Sequence, residues 1–181
     1  MRKFLKQFAK NPKWVGSIMP SSSRLIHSML KHIDFSDDLL IVEYWAWIGN
    51  FTKQILKRAT PNSRLLVFEI EDEFIEILNK IKDPRVQIIH DWAQNLWKYI
   101  DWKSADVIVS GIPFWSLPKE LTKEILSVWH KHLKINWLYL QFQYFLQNRK
   151  DVFNTFKNCS ISWEPVNFPP AFVYKCHKIH N

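Results

Sequence analysis

Apolar and polar positions along the chain follow two alternating rhythms. Leu39-Leu40-Ile41-Val42 and Leu65-Leu66-Val67-Phe68 are unbroken apolar runs flanked by charged residues, which predicts strands buried on both faces. Val86 to Ile89, Ala105 to Val109 and Leu138 to Tyr144 read as a third, fourth and fifth strand. Helical spacing fills the intervals. Asn50 caps a helix over about 50–59, and Phe74, Ile77, Leu78 and Ile81 mark one face of a helix over 73–82. A short helix is expected over about 94–101, Pro118 opens another that runs to about 132, and a last one falls near 146–156.

Strands separated by helices predict a parallel sheet with right-handed crossovers. The final stretches, 159–164 and 171–177, have no helix between them. Pro165, Pro169 and Pro170 make their connection extended rather than a tight hairpin, and two strands without a helix between them predict an antiparallel edge.

The first 33 residues differ from the rest in charge. Arg2, Lys3, Lys6, Lys10, Lys13, Arg24 and Lys31 stand there with no acid, and they account for nearly all of a formal net charge of +8. Phe4, Leu5, Phe8 and Ala9 fall on one side of a short predicted helix that Asn11-Pro12 breaks. Ser21, Ser22 and Ser23 offer caps to a second helix over about 23–33, with Leu25, Ile26, Met29, Leu30 and Ile33 on its apolar side. The chain thus divides into a basic amphipathic helical segment, 1–33, and a sheet domain, 34–181. A basic amphipathic helix at residues 1–13 either docks on an anionic membrane or lies on the domain with its lysines in water. No apolar run reaches the roughly 20 residues of a membrane span, and lysines interrupt any signal-peptide core.

Two counts are abnormal. Average usage would give about 13 glycines in 181 residues, whereas the chain has 3, together with 10 tryptophans. Glycine is what backbone needs for close approach to a ligand, and tryptophan is what fills space, so the anomaly points at sites. Cys159 and Cys176 are too few for a disulfide scaffold and read as two free thiols in a reducing, cytoplasmic protein. Cys176, His177 and His180 crowd the tail, but their spacing matches no closed zinc site, so no metal is expected.

Several stretches carry a resemblance: Phe4 to Phe8, Val15 to Ser22, Phe68-Glu69-Ile70, Ser110-Gly111-Ile112-Pro113-Phe114, Gln141 to Tyr144, and Asn167 to Tyr174. Together they resemble the class I S-adenosylmethionine-dependent methyltransferases. More narrowly they look like the bacterial phospholipid N-methyltransferases, which are similar to the rRNA adenine dimethylases. The resemblance implies an α/β fold: a doubly wound, seven-stranded Rossmann-like sheet, mostly parallel, with an antiparallel C-terminal edge. It implies S-adenosylmethionine as cofactor across the carboxyl ends of the first strands. Glu69, with Ile70 beside it, would accept from the ribose hydroxyls. Glu43 would shape the cofactor loop or meet the methionyl amine. Ser110 to Phe114 would form the catalytic loop that orients the target amine, with the Phe114 ring on the substrate.

The chain departs from this family where the cofactor should lie. Glu43-Tyr44-Trp45-Ala46-Trp47-Ile48-Gly49 keeps the acid and the last glycine of a glycine-rich loop, with Trp45 and Trp47 at its internal glycine positions. Asp91-Trp92-Ala93 stands where Gly-Asp-Ala is usual, Trp115 follows the Phe114 motif, and Trp137 closes a stretch where the family has Leu-Lys-Pro-Gly-Gly. An indole fills space that a bare backbone leaves open. The changes therefore predict a pocket filled or reshaped by tryptophans, with cofactor binding weak or lost, on a scaffold rewritten at its site and reading as engineered. Three functions stay open: an active phospholipid amine methyltransferase held peripherally on the inner membrane face, a silent scaffold or binder of a planar hydrophobic ligand, and, less favoured, an RNA-modifying protein.

Overall fold

The computed structural model describes residues 22–100, 104–167 and 169–179. The basic segment at residues 1–13, and His180 of the tail, lie outside the described residues.

Seven strands form one sheet: β1 (Leu40–Tyr44), β2 (Arg64–Glu69), β3 (Val86–His90), β4 (Ala105–Ser110), β5 (Leu133–Gln143), β6 (Asn158–Glu164) and β7 (Ala171–His177). Their order is β3-β2-β1-β4-β5-β7-β6. The first five are parallel to one another, and β7 runs antiparallel between β5 and β6. The doubly wound α/β sheet with its antiparallel edge is therefore as expected.

Helices α1 (Ser23–Leu30), α2 (Asn50–Leu56), α3 (Asp72–Leu78), α4 (Lys119–His132) and α5 (Arg149–Phe156) cover the faces. The Ser22 side chain accepts from the Leu25 N–H and starts α1, whose Leu25, Ile26, Met29 and Leu30 are buried. They join Ile41, Ile55, Leu65, Val107 and Leu140 in one core, so α1 belongs to the same packed unit as the sheet. On the other face, Trp129 of α4 stacks on Tyr44 at 4.4 Å and meets Tyr139, which stacks on Phe156 of α5. These large rings fill the space between sheet and helices.

Three local features differ from expectation. The helix near 94–101 is a tighter 3₁₀ helix, Ala93–Lys98. Strand β5 begins at Leu133 rather than Leu138, with a register shift against β4 between Ala105 and Val107 and a left-handed Asn136 at φ 65°. That is a bulge, which lengthens the strand past an irregular residue.

The third difference is a correction: Cys159 and Cys176 are joined in a disulfide, not free. Antiparallel register places them opposite one another on β6 and β7, 4.1 Å apart at Cα. A count of two cysteines is silent on which strands carry them. Among the described residues no helix is long and apolar enough to cross a membrane, and no His, Cys, Asp or Glu cluster could hold a metal ion.

Candidate active site

Strands β1 and β4 are neighbours, with Tyr44 level with Ser110. Both chains leave the sheet there, and the Gly111 N–H donates to the Tyr44 carbonyl at 3.0 Å. A cleft opens at this carboxyl end. Its walls are Tyr44 and Trp45 after β1; Phe68, Glu69 and Ile70 at β2; Asp91 to Gln94 after β3; Ile112 after β4; and Leu117, Leu121 and Ile125 around α4. It encloses about 420 Å³, open mouth included.

The loop after β1 follows a glycine path without glycines. Trp45 and Trp47 stand at φ 67° and 55°, and Gly49, which heads α2, at φ 78°. For a residue with a Cβ the left-handed region costs about 1–2 kcal/mol. What holds the tryptophans there is a set of backbone bonds. The Trp45 N–H donates to the Phe68 carbonyl at 3.1 Å, the Trp47 N–H to Glu69 Oε2 at 3.1 Å, and the Gly49 N–H to the Ala46 carbonyl at 2.8 Å. Trp45 is half-buried, packs on the core beneath the cleft and lines it. Trp47 turns to α3 and stacks on Phe74 at 5.2 Å. The two indoles are 6.1 Å apart and tilted by 60°. Trp92 belongs to the wall that follows β3.

Three carboxylates have distinct surroundings. Glu69 is buried, and burial pushes its carboxyl above the usual carboxylate range. The Ile70, Trp47 and Glu71 N–H groups that bond to it offset part of that rise. Glu43 lies deeper, beneath the loop. Burial pushes it up to about 8; the Thr52 hydroxyl at 2.8 Å and the Thr52 backbone offset part of that rise, and the Glu69 charge adds to it. Among the described residues its Oε1 has no hydrogen-bond partner. Asp91 is the opposite case. Burial raises it, but donors from Asn95, Trp92 and Tyr99 and the Lys98 charge hold it below the ordinary range. Its oxygens already accept four donors, so it enters the wall as a committed acceptor.

The loop after β4 is fixed from β5. Gln141 and Gln143 both donate through Nε2 to the Ile112 carbonyl, at 2.9 and 2.6 Å, and Tyr139 O–H donates to Gln141 Oε1. Ser110 Oγ accepts from the Ile112 N–H at 3.2 Å. A Cβ on Gly111 would stand 2.8 Å from the Phe142 ring, so any other residue there would force that ring to shift. Pro113 caps a short turn, Phe114–Ser116, and its carbonyl accepts from Ser116.

Two placements depart from the sequence reading. Phe114 is fully buried against Trp129, so its ring faces the core rather than a substrate. Trp137 stands in the first half of β5, one residue before the Leu138–His177 pair, with Lys134 over its ring, at the far end of the sheet from the cleft. Trp115 lies edge-on to Phe145, 5.1 Å away. Sequence reasoning misses the role of Gln141 and Gln143 in holding the loop. It also misses the cleft wall from Leu117, Leu121 and Ile125, which in sequence is simply the apolar face of a helix.

No family model matches the chain. Over 97% of its length, and 95% of the relative's, the chain is 26% identical to an ornithine lipid N-methyltransferase of Singulisphaera acidiphila. Among solved structures it is similar to a precorrin-6y C5,15-methyltransferase of Geobacter metallireducens, with a TM-score of 0.72 at 13% identity over 87% of this chain and 89% of that one. A putative rRNA methylase of Clostridium thermocellum has a TM-score of 0.66 at 22% identity, over 90% and 98%. The chain thus has the fold of the class I methyltransferases, and it resembles a lipid N-methyltransferase along nearly its whole length.

Proposed function

We propose that this fold serves methyl transfer from S-adenosylmethionine to a lipid amine, with a cofactor seat narrowed by tryptophan. The observation that carries the reading is the loop after β1. Its main chain keeps the left-handed turns natural to glycine while bearing Trp45 and Trp47. The nucleoside end of the cleft fits the group: it is open, and Glu69 stands in its wall. With the Ile70, Glu71 and Trp47 N–H groups on three of its lone-pair positions, Glu69 keeps one for a ribose hydroxyl. Ile70 and Trp92 would flank the base. The methionyl end fits poorly, because Trp45 puts an indole where close approach to bare backbone is needed.

The cofactor, when bound, supplies an electrophilic methyl group. Everything else is positioning, which carries most of the catalysis in an in-line displacement. The loop Ser110 to Phe114 would hold the acceptor amine, and Gln141 and Gln143 keep its Ile112 carbonyl in one place. A neutral amine brings its own lone pair and needs no protein base. The basic segment at residues 1–13 would hold the chain peripherally on an anionic membrane.

Calorimetric titration with S-adenosylmethionine tests the narrowed seat. Binding is expected to be undetectable or millimolar for this chain and micromolar for a Trp45→Gly, Trp47→Gly variant. Micromolar binding to the unchanged chain would end that part of the reading. Labelled methyl transfer by the variant, offered lipid amine or RNA in parallel, tests the acceptor, and labelling of RNA alone overturns it.

A further inference from the structure

Four of the large apolar side chains that the structure exposes gather at one rim. Phe145 and Leu146 are 50% and 38% exposed, and Trp163 and Val166 are 62% and 54% exposed. They come from two connections, the one after β5 and the one from β6 to β7. Register brings these together: Phe172 of β7 is level with both Gln143 of β5 and Trp163 of β6. On the other side of β5, Ser110 of β4 is level with Gln141, near the same end of the strand. The rim therefore sits at the end of the sheet where the cleft opens. The Phe145 ring touches Trp115, next to the Ser110 to Phe114 loop.

Single exposed apolar residues are ordinary on a protein surface. A group of them adjoining a site marks an interaction surface. Its charge points to the kind of partner. Arg149 and Lys150, both exposed, follow Leu146 at the start of α5, with Asp151 in the same first turn and the half-exposed Glu164 between Trp163 and Val166 as the acids beside them. Apolar side chains bordered by cations suit the boundary between anionic headgroups and acyl chains.

We propose that this rim seats on an anionic bilayer, with Phe145, Leu146, Trp163 and Val166 among the upper acyl chains and Arg149 and Lys150 at the headgroups. Seated so, the loop after β4 faces the membrane surface, and a lipid amine reaches it without leaving the bilayer. This rests on the lipid-amine reading above, and it assigns the rim a membrane contact separate from residues 1–13.

Co-sedimentation of the full chain with vesicles tests it. Vesicles of phosphatidylcholine alone and vesicles containing phosphatidylglycerol are compared, without cofactor. The chain is expected to bind the anionic vesicles. Phe145→Ser with Leu146→Ser, and separately Trp163→Ser, are expected to weaken binding about tenfold. Arg149→Glu with Lys150→Glu is expected to weaken binding at least tenfold, and only on anionic vesicles. All these side chains are exposed, so thermal melts should match the unchanged chain. Binding that every variant retains in full overturns the proposal, as does absence of vesicle binding by the unchanged chain, or variants that alter RNA binding instead.

Transfer to a monomeric short-chain lipid amine, in the Trp45→Gly, Trp47→Gly background, separates the two readings. Rim-dependent vesicle binding without such transfer overturns the acceptor reading alone. Transfer with rim-independent vesicle binding overturns the rim alone.

Discussion

The Trp47 N–H donates to Glu69 Oε2 across 3.1 Å, so the carboxylate at the end of β2 ties down the loop that follows β1. The same carboxylate accepts from Ile70 and Glu71 through its other oxygen. Glu69→Ala leaves three backbone donors without that acceptor. The expected cost is about 2–4 kcal/mol, read from urea unfolding, with Glu69→Gln falling between the two. A loss under 0.5 kcal/mol would show that water replaces the carboxylate fully.

Trp47→Gly relieves a left-handed side chain worth about 1–2 kcal/mol and gives up one stacked contact with Phe74 worth about 1 kcal/mol. Unfolding free energy is expected to stay within about 1 kcal/mol of the unchanged chain. Trp45→Gly relieves the same strain but vacates the cleft wall and the core contact beneath it, and is expected to be the less stable of the two. Denaturant titration of each variant checks the order.

Gly111→Ala is expected to cost about 1–3 kcal/mol, because the added Cβ would stand 2.8 Å from the Phe142 ring. Phe142→Leu should recover part of this in the double variant. If both single changes and the double simply add, the contact is not the cause.

The Glu43 contribution to stability should fall as pH rises from about 5 to about 8. It runs against His32, His130 and His132, whose imidazoles burial holds below their ordinary value and which favour the folded chain as pH rises. Burial pushes the Glu43 carboxyl up to about 8 from its ordinary 4.5, with the Thr52 hydroxyl offsetting part. Across that window the folded chain holds a proton that the unfolded chain has released, so rising pH favours unfolding, and the contribution is intact only below it. Burial shifts Glu69 in the same direction. Glu43→Gln keeps a partner for Thr52 and removes the titration. It should match the unchanged chain at pH 5 and exceed it by about 2 kcal/mol or more at pH 8.

Reduction should loosen the sheet edge. Cys159 and Cys176 close a loop of sequence separation 17, for which chain entropy gives about 3 kcal/mol. The thermal melt in reductant should match that of Cys176→Ser, and both should fall below the melt of the unchanged chain without reductant. A melt indifferent to reductant would mean that the thiols are free in solution.

The parallel strands were legible because an apolar run bounded by charges, repeated between helical spacings, admits few other readings. The edge pair was legible because no helix separates its two strands. Pairing of Cys159 with Cys176 was not, since it depends on β6–β7 register and no periodicity encodes that. Trp137 was misplaced because a motif match before a strand says nothing of how far the strand extends, and the bulge at Asn136 lets β5 start early. Gln141 and Gln143 left a usable signal. Two glutamines two apart in an otherwise apolar strand share one face, and buried amides of that kind hold something, here the Ile112 carbonyl.

The bond from the Gly111 N–H to the Tyr44 carbonyl joins the loop after β4 to the root of the loop after β1. A Cβ at 111 would meet the Trp45 carbonyl at an ordinary 3.6 Å but the Phe142 ring at 2.8 Å. The steric veto at 111 thus comes from β5, and the two joined loops are sterically independent of one another at this point.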